Sequence, residues 1–239
     1  MTHGIFVTGT DTGVGKTVVT AGLVRLAARF GRRVVGLKPI ASGAGRTRDG
    51  LRNEDALALA AESSVPLPYG LTNPLCFEPA IAPHIAAAEA GVAISLPDLT
   101  RWYARAAAGA DLAIVEGAGG WRVPLHPEGF LSDLPEHLGL DVLLVVGLRL
   151  GCLNHARLTL EAVERPGRCR YVGWIGNSID PAFARRDENL ATLARLLGAP
   201  PLAVIPPLPA GTAAAALEFL RPPAVAQALG LPTRTRGKT

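Results

Sequence analysis

Gly15-Lys16-Thr17 stands at the head of an apolar-periodic segment, closing the glycine- and threonine-rich turn Gly9-Thr10-Asp11-Thr12-Gly13-Val14-Gly15. A lysine and a hydroxyl in that position suit phosphate chemistry. Backbone N–H groups freed by the glycines curl around an anion, and the helix start adds unpaired N–H groups and the positive end of its dipole. Lys16 is then expected to reach the β/γ-phosphates, and the Thr17 hydroxyl to ligate a Mg²⁺ bridging them. The usual spacing, G-x-x-x-x-G-K-[ST], is not kept. Thr10 occupies the first glycine's place and Gly9 precedes it, so the loop is one residue longer.

Further charged residues stand where such chemistry needs partners. Glu116 ends the apolar run Asp111-Leu112-Ala113-Ile114-Val115 and is followed by Gly117-Ala118-Gly119-Gly120. An acid at such a strand end orients the metal and its waters, and the glycines let the backbone pass close to phosphate. Lys38 leaves a second strand into Pro39-Ile40-Ala41-Ser42-Gly43, at the strand end where open α/β sheets bind ligands. Asp55 has two readings, a Mg²⁺ ligand or an acid favoured in a first helical turn by the dipole. Asn154, at or near a helix N-cap, is either a cap or part of a helix start offered to an anionic group. The string Gly176-Asn177-Ser178-Ile179-Asp180 is close to the guanine-reading N-K-x-D pattern, with Ser178 in place of the lysine. Asn177 is therefore read as a base-edge contact, adenine favoured over guanine. Pro206-Pro207 either walls the base or is plain punctuation.

The elements that must hold these residues alternate along the chain. Strands are expected at Ile5–Val7, Arg33–Lys38, Asp111–Glu116, Asp141–Gly147, Tyr171–Ile175 and Leu202–Ile205. Helices are expected at Lys16–Phe30, Ala56–Glu62, Asp98–Ala108, Ala156–Val163 and Arg186–Leu197. The polar segment Gly43–Leu51 reads as a mobile loop, and Ser63–Pro83 as irregular. The near-continuous apolar runs are those of strands buried on both faces. The expectation is an α/β fold: a single-domain P-loop NTPase fold, a mostly parallel β-sheet with helices on both faces. One domain would span 1–230, and 231–239 would be a flexible basic tail carrying Arg234, Arg236 and Lys238.

The 239 residues suffice for one sizeable core, and the formal charge of +4 is mild and scattered. No nucleic-acid arm is legible in it. The three cysteines show neither disulfide nor metal-ligand spacing, so reducing cytoplasm is expected. No uncharged run approaches membrane-spanning length.

Three stretches together carry a resemblance: Phe6-Val7-Thr8-Gly9-Thr10-Asp11-Thr12 with Val14-Gly15-Lys16-Thr17, then Lys38-Pro39-Ile40-Ala41-Ser42-Gly43, then Val115-Glu116-Gly117-Ala118-Gly119-Gly120-Trp121. In this order and spacing the chain resembles the dethiobiotin synthases. Gly50–Ala56, Pro83-His84-Ile85 and Gly151–Ala156 also look like that family, and the likeness spans about residues 4–208. It implies an ATP-dependent ligase of biotin biosynthesis that carboxylates 7,8-diaminononanoate with CO₂ and closes a ureido ring, giving ADP and phosphate. By the same resemblance Lys38 lies between carbamate and γ-phosphate and is catalytic with Lys16. Thr17, Asp55 and Glu116 hold Mg²⁺. Gly13, Val14, Gly15, Lys16, Thr17 and Val18, with Gly117, Ala118 and Gly119, surround the phosphates. Asn177 and Ile205-Pro206-Pro207 approach adenine. Thr12 and Ser42 supply hydroxyls to substrate and carbamate. The family is a homodimer whose partner subunit helps hold the substrate's carboxylate, for which Asn154 is the candidate. Two departures stand out: Gly13 replaces an acid common in the family loop, and the segment past Leu208 matches poorly.

Three other readings are open to this sequence. The chromosome-partition and septum-site ATPases carry a second lysine five residues before the loop lysine, where this chain has Asp11. Amide-forming synthetases of the cobyrinate or CTP-synthase type add a glutaminase domain for which this chain has no room. A GTPase is disfavoured by Ser178.

Overall fold

The computed structural model describes residues 2–127, 129–165, 169–208 and 211–232. The expected basic residues Arg234, Arg236 and Lys238 lie outside them.

The chain opens with β1 (His3–Gly9), a β-branched and aromatic run buried from Gly4 onward, and turns into α1 (Lys16–Arg29). The α1 stripe Val19, Leu23, Leu26 and Ala27 is buried at helical spacing, as its pattern requires. β2 (Val34–Leu37) follows, then the short β3 (Ile40–Ala41), β4 (Gly45–Thr47) and β5 (Gly50–Arg52). Next come α2 (Glu54–Glu62), α3 (Tyr69–Thr72), β6 (Leu75–Cys76), α4 (Pro83–Glu89) and α5 (Leu96–Ala106). The second half runs β7 (Leu112–Glu116), β8 (Pro124–His126), β9 (Gly129–Phe130), α6 (Asp133–Leu138), β10 (Asp141–Gly147) and α7 (Cys152–Val163). It ends with β11 (Tyr171–Asn177), α8 (Arg186–Leu196), β12 (Ala203–Ile205), α9 (Ala213–Leu217) and α10 (Pro223–Ala228).

Six strands form one sheet in the order β12-β11-β10-β1-β7-β2, every pair parallel. β10 shows how one strand serves two faces. Leu143 and Val145 join the core under α1, α9 and α10, whereas Val142, Leu144 and Val146 pack toward α5, α7 and α8 on the other face. Phe6, Leu23 and Trp174 are fully buried, each worth roughly 1.5–3 kcal/mol in apolar surface removed from water.

All six strands point their C-terminal ends to one edge, and the chain's direction across the sheet reverses at β1. That edge is where an open parallel sheet leaves a crevice, and it carries the phosphate-type loop, Lys38, Glu116, Asn177 and Ile205.

Several local expectations are corrected. Gly43–Leu51 is no simple loop: β4 and β5 pair antiparallel, Thr47 opposite Gly50, with Gly50 at φ 101° supplying a turn that L side chains resist. Polar composition hid the hairpin, because none of its residues is buried and no apolar alternation marks it. Within Ser63–Pro83 lie α3 and β6, the latter pairing with β3. Helix α7 begins at Cys152 rather than Ala156, capped by Gly151 at φ 95°. Asn154 is accordingly its third residue and caps nothing.

Candidate functional site

The loop between β1 and α1 is held from within. Lys16, 7% exposed, donates from Nζ to the Asp11 carbonyl at 2.9 Å, and Thr10 N–H donates to the Val145 carbonyl at 3.1 Å. Gly15 is the N-cap of α1 in the left-handed region, with no side chain capping the helix, so its first N–H groups face the loop's interior. Burial pushes the Lys16 ammonium down to about 8, and the charge of Lys38 adds to the effect. An anion in the loop would relieve both.

Behind the loop lies a buried charge cluster. Lys38, 3% exposed, donates to Glu116 Oε1 at 2.6 Å, Asp55 Oδ2 at 3.0 Å and the Gly117 carbonyl at 3.1 Å, which uses all three of its protons. Thr17 Oγ1 donates to the same Glu116 Oε1 at 2.9 Å. Burial alone would lower the Lys38 pKa, but Glu116 and Asp55 together outweigh it and hold the pKa above its ordinary value. Burial likewise works against the Asp55 carboxylate, and Lys38 overcomes it, so Asp55 titrates below its usual range. Glu116 Oε2 is buried with no partner. An orphaned carboxylate oxygen beside a hydroxyl and a second carboxylate is a donor set for a hard cation. Among the described residues no cluster of three or more His, Cys, Asp or Glu is arranged to hold a metal by itself, so a cation here would draw further ligands from elsewhere.

Two clefts flank the loop and share Gly13 and Gly15. The larger, about 770 Å³, is lined by Thr12, Lys16, Thr17, Lys38, Ser42, Asp55, Glu116, Ala118 and Gly119 among others. The Ser42 hydroxyl there is buried and unpartnered. The second, about 620 Å³, is lined by Val18, Asn177, Ser178, Pro207, Leu208 and Gly211. Asn177 Nδ2 donates to the Val14 carbonyl at 2.9 Å, tying the end of β11 to the loop. Ile205 is wholly buried, and its carbonyl accepts from Ser178 N–H at 2.9 Å. Pro206 is half-buried and Val14 is in the core; neither lines a cleft. Asn154 is exposed on α7 and lines neither cleft. Gly117 touches the site through its carbonyl on Lys38.

Sequence reasoning missed the groups that brace this site. Arg149 forms an ion pair with Asp11, the residue standing where partition ATPases carry their second lysine. Asn73 and Tyr69, in a stretch read as irregular, bond to the main chain at Lys38 and Asn53. No short motif flags either arrangement; both depend on chain segments that meet only in the fold.

Residues 3–215 match the family described as AAA domain. The ATP-dependent dethiobiotin synthetase BioD of Pseudomonas paraeruginosa is 54% identical over 222 residues, covering 91% of this chain and 96% of that protein. The protein of the same name from Cellvibrio japonicus is 48% identical over 215 residues, covering 90% and 94%. Among solved structures, the septum site-determining protein MinD of Pyrococcus horikoshii complexed with Mg-ADP superposes with a TM-score of 0.57 at 20% identity, covering 96% of this chain and 93% of that one. A ParA family ATPase from Chlorobium tepidum gives 0.55 at 15% identity, covering 98% and 95%. Those two likenesses establish a shared P-loop NTPase fold. Sequence identity of about half along nearly the full length, together with the site residues in place, decides the rest: this chain belongs to the ATP-dependent dethiobiotin synthetase family.

Proposed function

We propose that the protein converts 7,8-diaminononanoate, CO₂ and ATP to dethiobiotin, ADP and phosphate. The observation that carries the reading is the buried Lys38 ammonium between the phosphate loop and the larger cleft, joined to Glu116 and Asp55.

One amine of the substrate takes up CO₂ and loses a proton, giving a carbamate. A carbamate oxygen attacks the γ-phosphorus, the bond to the β-phosphate oxygen breaks, and ADP leaves. The product is a carbamic–phosphoric anhydride. The second amine attacks its carbonyl carbon, phosphate departs with the bonding pair, a proton is lost and the ureido ring closes. Negative charge gathers on the carbamate and the transferring phosphoryl group, so catalysis depends on fixed positive charge and N–H donors. Lys38 stays charged in its carboxylate surroundings and stands between the two reacting groups. Lys16 and the N–H groups from Gly13 to Val18, with Gly117 to Gly119, hold the phosphates. Thr12 and Ser42 orient the substrate from the wall of the larger cleft. Asn177 and Pro207 border the adenine in the second cleft, with Ile205 and Pro206 supporting the Pro207 turn from behind.

Mg²⁺ held by Thr17, Asp55 and Glu116, with nucleotide oxygens completing its shell, would neutralise charge on the β/γ-phosphates. The orphaned Glu116 Oε2 supports that assignment.

The reading includes a homodimer that meets through α7. Leu150 and Leu158, 92% and 57% exposed, flank Asn154 there, and an apolar pair so placed favours a covering partner. A second copy would bring Asn154 to the substrate's carboxylate. Cys76 and Cys152 are free thiols, which suits a cytoplasmic enzyme. No helix among the described residues is long and apolar enough to cross a membrane.

The test is phosphate release from MgATP with and without the diamine and bicarbonate, beside mass detection of product. Diamine-dependent release with a ureido product is expected. Release indifferent to the diamine would remove the reading.

A further inference from the structure

Lys38 and Asp55 sit on different segments, yet their side chains meet at 3.0 Å. Two residues that line neither cleft tie those segments together. Asn73, 2% exposed, donates from Nδ2 to the Lys38 carbonyl at 2.7 Å and to the Leu75 carbonyl at 3.2 Å. Lys38 N–H donates to the Thr72 carbonyl at 2.8 Å, so the peptide units on both sides of Lys38 are gripped by consecutive residues. Asn73 Oδ1 accepts from the Tyr69 hydroxyl at 2.9 Å. The opposite amide orientation would set Oδ1 against two carbonyl oxygens, which fixes the assignment. The Tyr69 oxygen in turn accepts from Asn53 N–H at 2.7 Å. Asn53 is the N-cap of α2, bonded through Oδ1 to Ala56 N–H, and Asp55 is in the first turn of that helix. Asn53 Nδ2 also reaches the Ser42 carbonyl at 3.4 Å.

We propose that Tyr69 and Asn73 are positioning residues that set the separation of Lys38 from Asp55. Their shared hydrogen bond joins the main chain of the catalytic lysine to the cap of the helix presenting the metal-binding acid. Arg52, whose guanidinium lies 4.2 Å over the Tyr69 ring, keeps the phenol from swinging away. Burial pushes the Tyr69 phenol up to about 12, so the hydroxyl keeps a proton to donate, and Cys76 Sγ at 3.5 Å is a second, longer contact of the same oxygen. The role rests on the synthetase reading of Lys38 and Asp55, and groups outside a metal's own ligands commonly change affinity or rate by about 10- to 100-fold when removed.

The experiment compares Tyr69→Phe, Asn73→Ala, the double variant and Leu71→Ala, a substitution in α3 that spares every bond of the relay. Three quantities are read: melting temperature, kcat with KM for the diamine, and Mn²⁺ affinity in the presence of ADP by electron paramagnetic resonance. For Tyr69→Phe, kcat is expected to fall roughly tenfold and Mn²⁺ to bind roughly tenfold more weakly, with KM for the diamine nearly unchanged. Leu71→Ala is expected to lower the melting temperature while keeping kcat and Mn²⁺ affinity. The double variant should lose little more than the worse single one, because both cut the same link. Wild-type kcat and Mn²⁺ affinity in Tyr69→Phe overturn the proposal. So do equal losses in Leu71→Ala, or fully additive losses. A wild type that makes no ureido product overturns the synthetase reading instead, and the Mn²⁺ comparison still decides the positioning role.

Discussion

Lys38 Nζ and Glu116 Oε1 stand 2.6 Å apart with 4% and 1% of their side chains exposed, so the protein holds a full ion pair almost out of water. Such a pair contributes little net stability while intact, but removing one member strands the other. Lys38→Met leaves Glu116 buried with only the Thr17 hydroxyl as a donor. Stability is expected to fall by about 3–5 kcal/mol, and ureido product to drop below detection at a temperature where circular dichroism shows the variant still folded. ADP binding, which rests on the loop, should change far less. Normal product formation in folded Lys38→Met would remove Lys38 from the chemistry.

Lys16 gives the site a pH signature. Its pKa is about 8 in the folded protein against an ordinary 10.5, so below about 8 both states carry the proton and the burial penalty is felt in full. Between 8 and 10.5 the unfolded chain binds more protons than the folded one, and this group's contribution to stability rises with pH. Phosphate in the loop favours the ammonium, so ADP binding at pH 8 should draw in about half a proton per site, falling to nothing by about pH 6.5. Titration calorimetry in two buffers of different ionisation enthalpy measures this, with Lys16→Met as the control. Equal enthalpies in the two buffers at pH 8 would count against the depressed pKa.

The residues gathered at the sheet edge were legible in the sequence because their chemistry is carried by local strings at strand ends. Lys16, Lys38, Glu116 and Asn177 all follow or end apolar runs, and parallel strands deliver their C-terminal ends to one edge whatever the details between. Asp55 was open to two readings because a first-turn acid is common for dipole reasons, and no local string signalled its 3.0 Å contact with Lys38, which the fold alone creates. The β4–β5 hairpin, α3 and the Asn73–Tyr69 pair were not legible. The hairpin is held by local backbone pairing among unburied residues with no apolar alternation, and the Asn73–Tyr69 pair by hydrogen bonding across 16 to 35 positions of sequence. Asn154 was misplaced by one helical turn because Gly151, with φ 95°, caps α7 without any side-chain signal.

The α7 surface makes the assembly testable apart from the chemistry. If a second copy covers Leu150 and Leu158, then Leu158→Arg sets a charge against an apolar neighbour and should shift the protein toward monomer in sedimentation experiments. Because Leu158 lines neither of the two clefts at the loop, ADP affinity should stay within about twofold while KM for the diamine rises. A wild-type monomer with full activity would remove both the dimer and the role given to Asn154.

Gly15 lines both clefts and has no room for a side chain. Its φ of 82° lies in the left-handed region, and a Cβ there would stand 2.1 Å from Asn177 Nδ2. The conformation alone costs an L residue roughly 1–2 kcal/mol. The contact adds to this by pressing on the amide that holds the Val14 carbonyl. Gly15→Ala is therefore expected to weaken ADP binding at least tenfold, by the relation of about 1.4 kcal/mol to each factor of ten, with a small fall in melting temperature. Because Asn177→Ala removes the contact but also an adenine-side group, the double variant is compared with Asn177→Ala alone, and it should still bind ADP more weakly by the share due to the backbone. Full ADP affinity in Gly15→Ala would mean that the loop opens to bind nucleotide in a different conformation from the one seen here. Equal ADP affinity in the double variant and in Asn177→Ala would assign the whole effect to the contact and none to the left-handed turn.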